Sequence, residues 1–357
     1  MCLICRNESL EELTLLNLEG CLDIEILENL PEGITILDCS CCENLQIISD
    51  LPQTLQVLYC NYCDKIETLP ELPPLLQTLY CTDCNLIESL PELPPLLQSI
   101  NCDGCKSLEY LPELPQNLSE LNCYNCTKLQ SIPQLPQGLS LLLDCSNCIL
   151  LKELPKLPRL LQILVCKGCI SLETLPELPE QLDVLICNNT NLKSLPKLPQ
   201  NLVKLQCGNT KIKNIPILPS RLRELYCFGC TSLQSIPELP LTIQKLNCMF
   251  CTSLQYLPEL PFGLEELNCT GCILLEILPQ LPVTLYSNRL FCTGCDRLYL
   301  PPHLHIKYRT REVNGYSPAK ISRIVTSIQR RFIEKLYHPD SGFVYNKLKK
   351  LKNSLIK

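Results

Sequence analysis

The pattern Leu-x-x-Leu-x-Cys-x-x-Cys recurs along the chain every 21 residues, as Ile34 to Cys42, Leu55 to Cys63, Leu76 to Cys84, Leu97 to Cys105 and Leu118 to Cys126. The same frame continues through Cys145, Cys166, Cys187, Cys207, Cys227, Cys248, Cys269 and Cys292 and reaches back to Leu18, which makes 14 units. A fixed period of this length means that each unit is one small element that cannot bury its apolar side alone. The 357 residues are therefore expected to fold as one stacked array rather than as several ordinary domains.

Between the Cys-bearing stretches the chain repeats Leu-Pro-x-Leu-Pro, as in Leu69 to Pro73, Leu90 to Pro94, Leu175 to Pro179 and Leu257 to Pro261. Proline fixes φ, removes an amide donor and pushes the residue before it out of the helical region. The return path of each unit is thus expected to be extended and polyproline-like, with its leucines turned inward. The Cys-bearing stretch supplies a short strand, and 14 strands spaced about 4.8 Å apart give an inner face roughly 65 Å long.

These units resemble leucine-rich repeats, whose signature L-x-x-L-x-L-x-x-N/C-x-L is matched with Cys in the third apolar slot and again in the Asn/Cys slot. The short Leu-Pro-x-Leu-Pro form is similar to the repeats of bacterial secreted effectors, and the Cys-rich variant to repeat proteins of giant viruses. The resemblance covers roughly residues 13 to 300 and implies a curved α/β-type solenoid with one parallel sheet on its concave face. The expected organisation is a lead-in at 1–12, the solenoid at 13–302 in repeats of 20 to 23 residues, and a basic helical C-terminal cap at 303–357.

Of the 28 Cys, 13 occupy the third apolar slot and 12 the Asn/Cys slot, leaving Cys2, Cys5 and Cys41. Three readings compete: small core hydrophobes, zinc or iron–sulfur ligands in tandem Cys-x-x-Cys pairs, and disulfides between rungs. Two units decide in favour of the core. Thr190 and Thr210 fill the second slot in units that are 20 residues long, so the slot varies with local loop length as a packing position does. There is no His among residues 1 to 302, and the reading expects neither metal nor cofactor.

The variable strand positions are expected to face the concave side and to be mostly polar, with amides such as Asn101, Asn122, Asn188, Asn247 and Asn268. Two aromatic groups interrupt them: Tyr59, Tyr62 and Tyr80, and Tyr226, Phe228, Met249 and Phe250. With Asp83 these eight residues are the candidate partner-binding positions, because aromatics beside polar groups make binding hot spots; scattered surface aromatics at tolerated positions are the competing reading.

The net charge of −6 hides a division: residues 307 to 357 carry 13 Lys and Arg against 3 acids, a local +10, which leaves 18 against 34, or −16, in the remainder. Helical spacing of Ile321, Ile324, Val325, Ile328, Phe332 and Leu336 predicts an amphipathic helix in the basic segment, with a second one after the break at His338-Pro339. That segment is read first as a cap over the last open repeat. It is read second as a contact for an anionic membrane, nucleic acid or an acidic protein through Arg323, Arg330, Arg331, Lys347, Lys349 and Lys350.

No secretion signal opens the chain and no run of about 18 apolar residues occurs, so a cytoplasmic, reducing setting is expected. The body offers no His to serve a nucleophile and no Gly-rich phosphate loop. Some bacterial relatives implied by the resemblance carry a Cys-dependent ubiquitin-ligase domain after the repeats, but no Cys follows Cys295. The expected function is a non-catalytic, monomeric scaffold that binds protein partners, host proteins included, on the concave face. The alternatives are a substrate receptor for a ubiquitin ligase recruited through the basic tail and, more distantly, a thiol-rich metal-binding protein.

Overall fold

The computed structural model describes residues 13–285 and 289–299. Its strands are β1 (Leu15–Asn17), β2 (Ile26–Leu27), β3 (Ile36–Asp38), β4 (Ile47–Ile48), β5 (Val57–Tyr59), β6 (Thr78–Tyr80), β7 (Ser99–Asn101) and β8 (Glu120–Asn122). They continue with β9 (Leu142–Asp144), β10 (Ile163–Val165), β11 (Val184–Ile186), β12 (Lys204–Gln206), β13 (Glu224–Tyr226), β14 (Lys245–Asn247), β15 (Glu266–Asn268) and β16 (Leu290–Phe291). Fourteen of them, all but β2 and β4, form one parallel sheet in sequence order. The second apolar position of every unit sits at the strand centre and pairs with its equivalent in the next: Leu37 opposite Leu58, Leu58 opposite Leu79, Leu79 opposite Ile100.

These central side chains explain why three residues suffice for a strand. Leu58, Leu79 and Leu121 are wholly buried, as are the flanking Leu55, Leu76 and Leu118 and the third-slot Cys60, Cys81 and Cys123. Each buried leucine contributes about 2 kcal/mol, so a unit with several of them is held by its neighbours rather than by strand length. In the Leu-Pro-x-Leu-Pro return path, leucines such as Leu111, Leu114, Leu154 and Leu157 are turned inward and buried.

Two expectations about architecture change. The return path is not uniformly unpaired: β2 and β4 form a second, two-stranded parallel sheet there, and single bridges join Ser89 to Tyr110, Asn214 to Ser235 and Ile277 to Tyr299. No α-helix occurs among the described residues, so the described solenoid is all-β, and the α in the expected class rested on the helical cap. That cap at 303–357, with Arg323, Arg330, Arg331, Lys347, Lys349 and Lys350, lies outside the described residues.

The cysteines form two hydrogen-bonded ladders. In eleven units the second-slot thiol donates to the main-chain carbonyl at the third slot of the unit before, at 2.9 to 3.2 Å, as Cys63 to Cys39, Cys84 to Cys60 and Cys105 to Cys81. Third-slot thiols such as Cys39, Cys102 and Cys187 reach forward to the last strand carbonyl of the following unit at 3.4 Å. The shorter Thr190 and Thr210 instead donate to the carbonyls of Cys187 and Cys207 in their own units, both at 2.8 Å. The hydroxyl thus replaces the thiol only where the turn has contracted by one residue, which is the physical cause of the covariation in the sequence.

Candidate functional site

Successive residues of a strand point to opposite sides, so the residues on either side of each buried central leucine make the open face of the large sheet. Tyr59 and Tyr80 are register partners on β5 and β6 and meet edge to face, with ring centroids 5.3 Å apart. Burial, then the Tyr80 and Asp38 neighbours, raise the Tyr59 hydroxyl above its ordinary range. Tyr226 ends β13, and the Lys204 ammonium lies 5.4 Å from its ring centroid. The same ammonium contacts Glu224 at 2.8 Å, and Lys245 contacts Glu224 at 3.1 Å, so Lys204, Glu224 and Lys245 make an ion ladder across three strands beside Tyr226.

The other five candidates lie in the turns after the strands rather than on them. Tyr62, Asp83 and Phe250 occupy the second turn position, where the main chain is left-handed with φ of 58°, 55° and 59°. Other units place Gly104, Gly168, Gly229, Asn125 or Asn147 there, residues that tolerate this conformation. The amides at this position bond forward to the next unit, Tyr62 to Thr82 and Asp83 to Asp103, and this fixed pairing imposes the conformation on whatever residue is present. Phe250 lies over Gly271 and Phe228 over Gly208; a Cβ on Gly208 would come within 2.7 Å of the Phe228 ring. These two rings pack along the stack, and Met249 Sδ accepts a hydrogen bond from Asn268 Nδ2 at 3.6 Å.

The amides expected to await a partner are largely engaged within the chain. The Oδ1 atoms of Asn101, Asn122, Asn247 and Asn268 each accept the main-chain amide two residues on, at 3.0 to 3.2 Å. Asp144 does the same for Ser146 at 2.9 Å. This Asx turn ends the strand, which is why Asn or Asp recurs at its last position. Asn188 accepts from the Gly208 amide at 3.1 Å and donates to Gln206 at 3.0 Å.

Two features of the open face were missed in the sequence. The first is aliphatic: Leu142, Ile163, Val184 and Ile186 fill half-buried outward positions of β9 to β11, with Val165 buried beside them, where most other units carry Thr, Ser, Asn, Gln, Tyr or charged residues and only β1, β3 and β5 add single aliphatic residues, Leu15, Ile36 and Val57. The strand sequences LLD, ILV and VLI, apolar at nearly every position, were the available signal. The second is the grouping of Asp83, already a candidate, with Asp103 in the turns N-terminal to that strip and Asp144 at the end of β9 within it. Burial, then Asp83 and Asp144, push the Asp103 carboxyl up to about 7, and burial also raises Asp83 and the almost fully enclosed Asp144.

Most of the third-slot thiols are poorly prepared to ligate metal. No disulfide joins the described cysteines, and among the described residues no three His, Cys, Asp or Glu side chains converge as a metal site. The neighbouring Cys105 thiol, then burial, hold Cys81 well above its ordinary range, and Cys145 and Cys227 are raised in the same way by Cys169 and Cys251. A metal requires thiolates, which burial opposes at these three positions, whereas the Cys39, Cys207 and Cys269 thiols lower Cys63, Cys230 and Cys295.

A parallel ladder of in-register leucines, one short strand per unit, and a side-chain ladder at the Asn/Cys slot define the class: the chain has the fold of a leucine-rich repeat solenoid. It is similar in structure to YopM, a leucine-rich effector protein from Yersinia pestis, at 27% identity over 83% of this chain and 89% of that one, with a TM-score of 0.57. It also shares the fold of a leucine-rich repeat protein from Bacteroides ovatus, at 20% identity over 85% and 94% of the two chains, with a TM-score of 0.51. No protein-family model and no curated protein sequence matches the chain.

Proposed function

We propose that this chain is a non-catalytic scaffold that binds protein partners, host proteins among them, through the open face of its 14-stranded sheet. The observation that carries the reading is the contrast between that face and the rest of the solenoid. The core is closed by leucine and thiol ladders, whereas the face presents the Tyr59–Tyr80 pair and, on three consecutive strands, the half-buried Leu142, Ile163, Val184 and Ile186. Aromatic and aliphatic groups of this kind, surrounded by polar positions, are the usual centre of a protein interface. The structural neighbours are leucine-rich repeat proteins, one of them an effector, which agrees with a binding role.

The scaffold acts as a monomer in a reducing compartment such as the cytoplasm, where its thiol core stays reduced. Recruitment of a ubiquitin ligase through the basic tail would involve residues outside the described ones, and nothing on the solenoid favours it. The test is replacement of Tyr59 and Tyr80 together by alanine, followed by partner capture and thermal melting. Capture should fall at least tenfold with the melting temperature little changed. Unchanged capture, or a collapse of stability that accounts for the loss, would count against a binding role for this pair.

A further inference from the structure

The open face is chemically lopsided. None of the strand residues from β1 through β11 is Lys or Arg; the first is Lys204 in β12. Carboxylates meanwhile gather at the N-terminal end of the aliphatic strip, with Asp83 and Asp103 in the turns after β6 and β7 and Asp144 at the end of β9 itself. Lys106 lies near Asp83 and Lys167 near Asp144, both from turns. The charged groups that act on Asp103 are the carboxylates of Asp83 and Asp144, both of which disfavour its ionised form. On the C-terminal side of the strip the first carboxylate is already engaged within the chain, because Lys204 and Lys245 both contact Glu224.

We propose that Leu142, Ile163, Val184 and Ile186 seat an aliphatic stretch of a partner protein, with Lys or Arg residues of the same segment reaching Asp83 and Asp103. This deepens, and rests on, the reading of the open face as a protein-binding surface. Three strand spacings separate the Asp103 unit from β10, which is about 14 Å. A helical segment covers that distance in roughly ten residues, at 1.5 Å each. The apolar strip would be covered and the carboxylate that lacks a counter-charge would acquire one. An anionic surface, whether lipid or nucleic acid, would be disfavoured by Asp103 and its two carboxylate neighbours at this place.

The test is selection of peptides from a displayed random library on the full chain at low salt, followed by affinity measurement for a synthetic representative. The selected peptides should combine Leu, Ile, Val or Met with nearby Lys or Arg. Their binding should fall at least tenfold for Ile163→Asp or Val184→Asp and several-fold for Asp83→Asn with Asp103→Asn, and should weaken as salt is raised. Should the aspartate variants on the strip unfold, Ile163→Thr and Val184→Thr keep the shape and should still lose several-fold. Peptides without cations, or binding indifferent to Asp83→Asn with Asp103→Asn, would overturn the proposal. Peptides that depend on Tyr59 and Tyr80 but not on Ile163 would overturn it while leaving the open-face reading intact. Peptides sensitive only to substitutions in the Leu-Pro-x-Leu-Pro return path would overturn both.

Discussion

Replacing Asp103 by Asn should stabilise the protein, and by an amount that depends on pH. The carboxyl sits between Asp83 and Asp144 in a half-buried turn, and burial and those neighbours move it from its ordinary value of 3.8 to about 7. A folded-state value above the unfolded one means that the native chain holds its proton more tightly. The wild-type protein therefore carries no penalty below pH 4, loses stability as pH rises from 4 to 7, and carries the full penalty above 7. A gap of about three pH units at 1.36 kcal/mol each is roughly 4 kcal/mol, and solvent access to the turn reduces this to about 2 kcal/mol. Asn keeps the backbone bonds of residue 103, including the Asp83 amide to its carbonyl at 2.6 Å, but cannot ionise. Urea unfolding followed by far-ultraviolet circular dichroism, which suits a chain without Trp, should show the variant equal to wild type at pH 4 and about 2 kcal/mol more stable at pH 8. An advantage that is absent at pH 8, or constant across this range, would refute the reasoning.

Other substitutions probe the turns and ladders. Gly229→Ala places a Cβ against Asn209 Oδ1 at a φ of +67° and should cost about 2 to 3 kcal/mol; in an Asn209→Gly background the cost should drop to about 1 kcal/mol, as read by urea midpoints in a double-mutant cycle. Tyr62→Gly relieves a left-handed tyrosine at φ 58° and should stabilise by up to about 1 kcal/mol in the same assay, with a loss showing instead that the ring contributes packing. Cys105→Ala removes a wholly buried thiol that donates to the Cys81 carbonyl at 3.0 Å and should cost about 1 to 3 kcal/mol. Cys105→Ser, which retains a donor, should cost less, and equal losses would leave the hydrogen bond without a role.

The repeat frame was legible because it depends on residue type at a fixed spacing: Leu58, Leu79 and their equivalents must be apolar, and the Leu-Pro steps leave no room for helix. The cysteine slots were legible for the same reason, since Thr190 and Thr210 exposed their packing logic through loop length. The open face was only partly legible. Asn101 and Asn122 look like polar surface in sequence, yet each closes its own strand by accepting an amide two residues on. Likewise Tyr62 and Phe250 look like strand aromatics, but both stand in a turn position whose left-handed geometry is set by bonds to the next unit. What decides these roles is contact between rungs, which a single unit's sequence does not contain. The aliphatic strip at Ile163, Val184 and Ile186 was present in the sequence but merged into the general apolar periodicity of the repeat.

A photoreactive amino acid placed singly along the solenoid tests most directly which surface binds the partner. Positions on the open face, such as Tyr80, Ile163 and Ile186, should cross-link a partner protein strongly, whereas Glu92, Glu113 and Glu177 in the return path should not. Cross-links that arise from the return path, with the strand positions silent, would contradict the open sheet face as the binding surface.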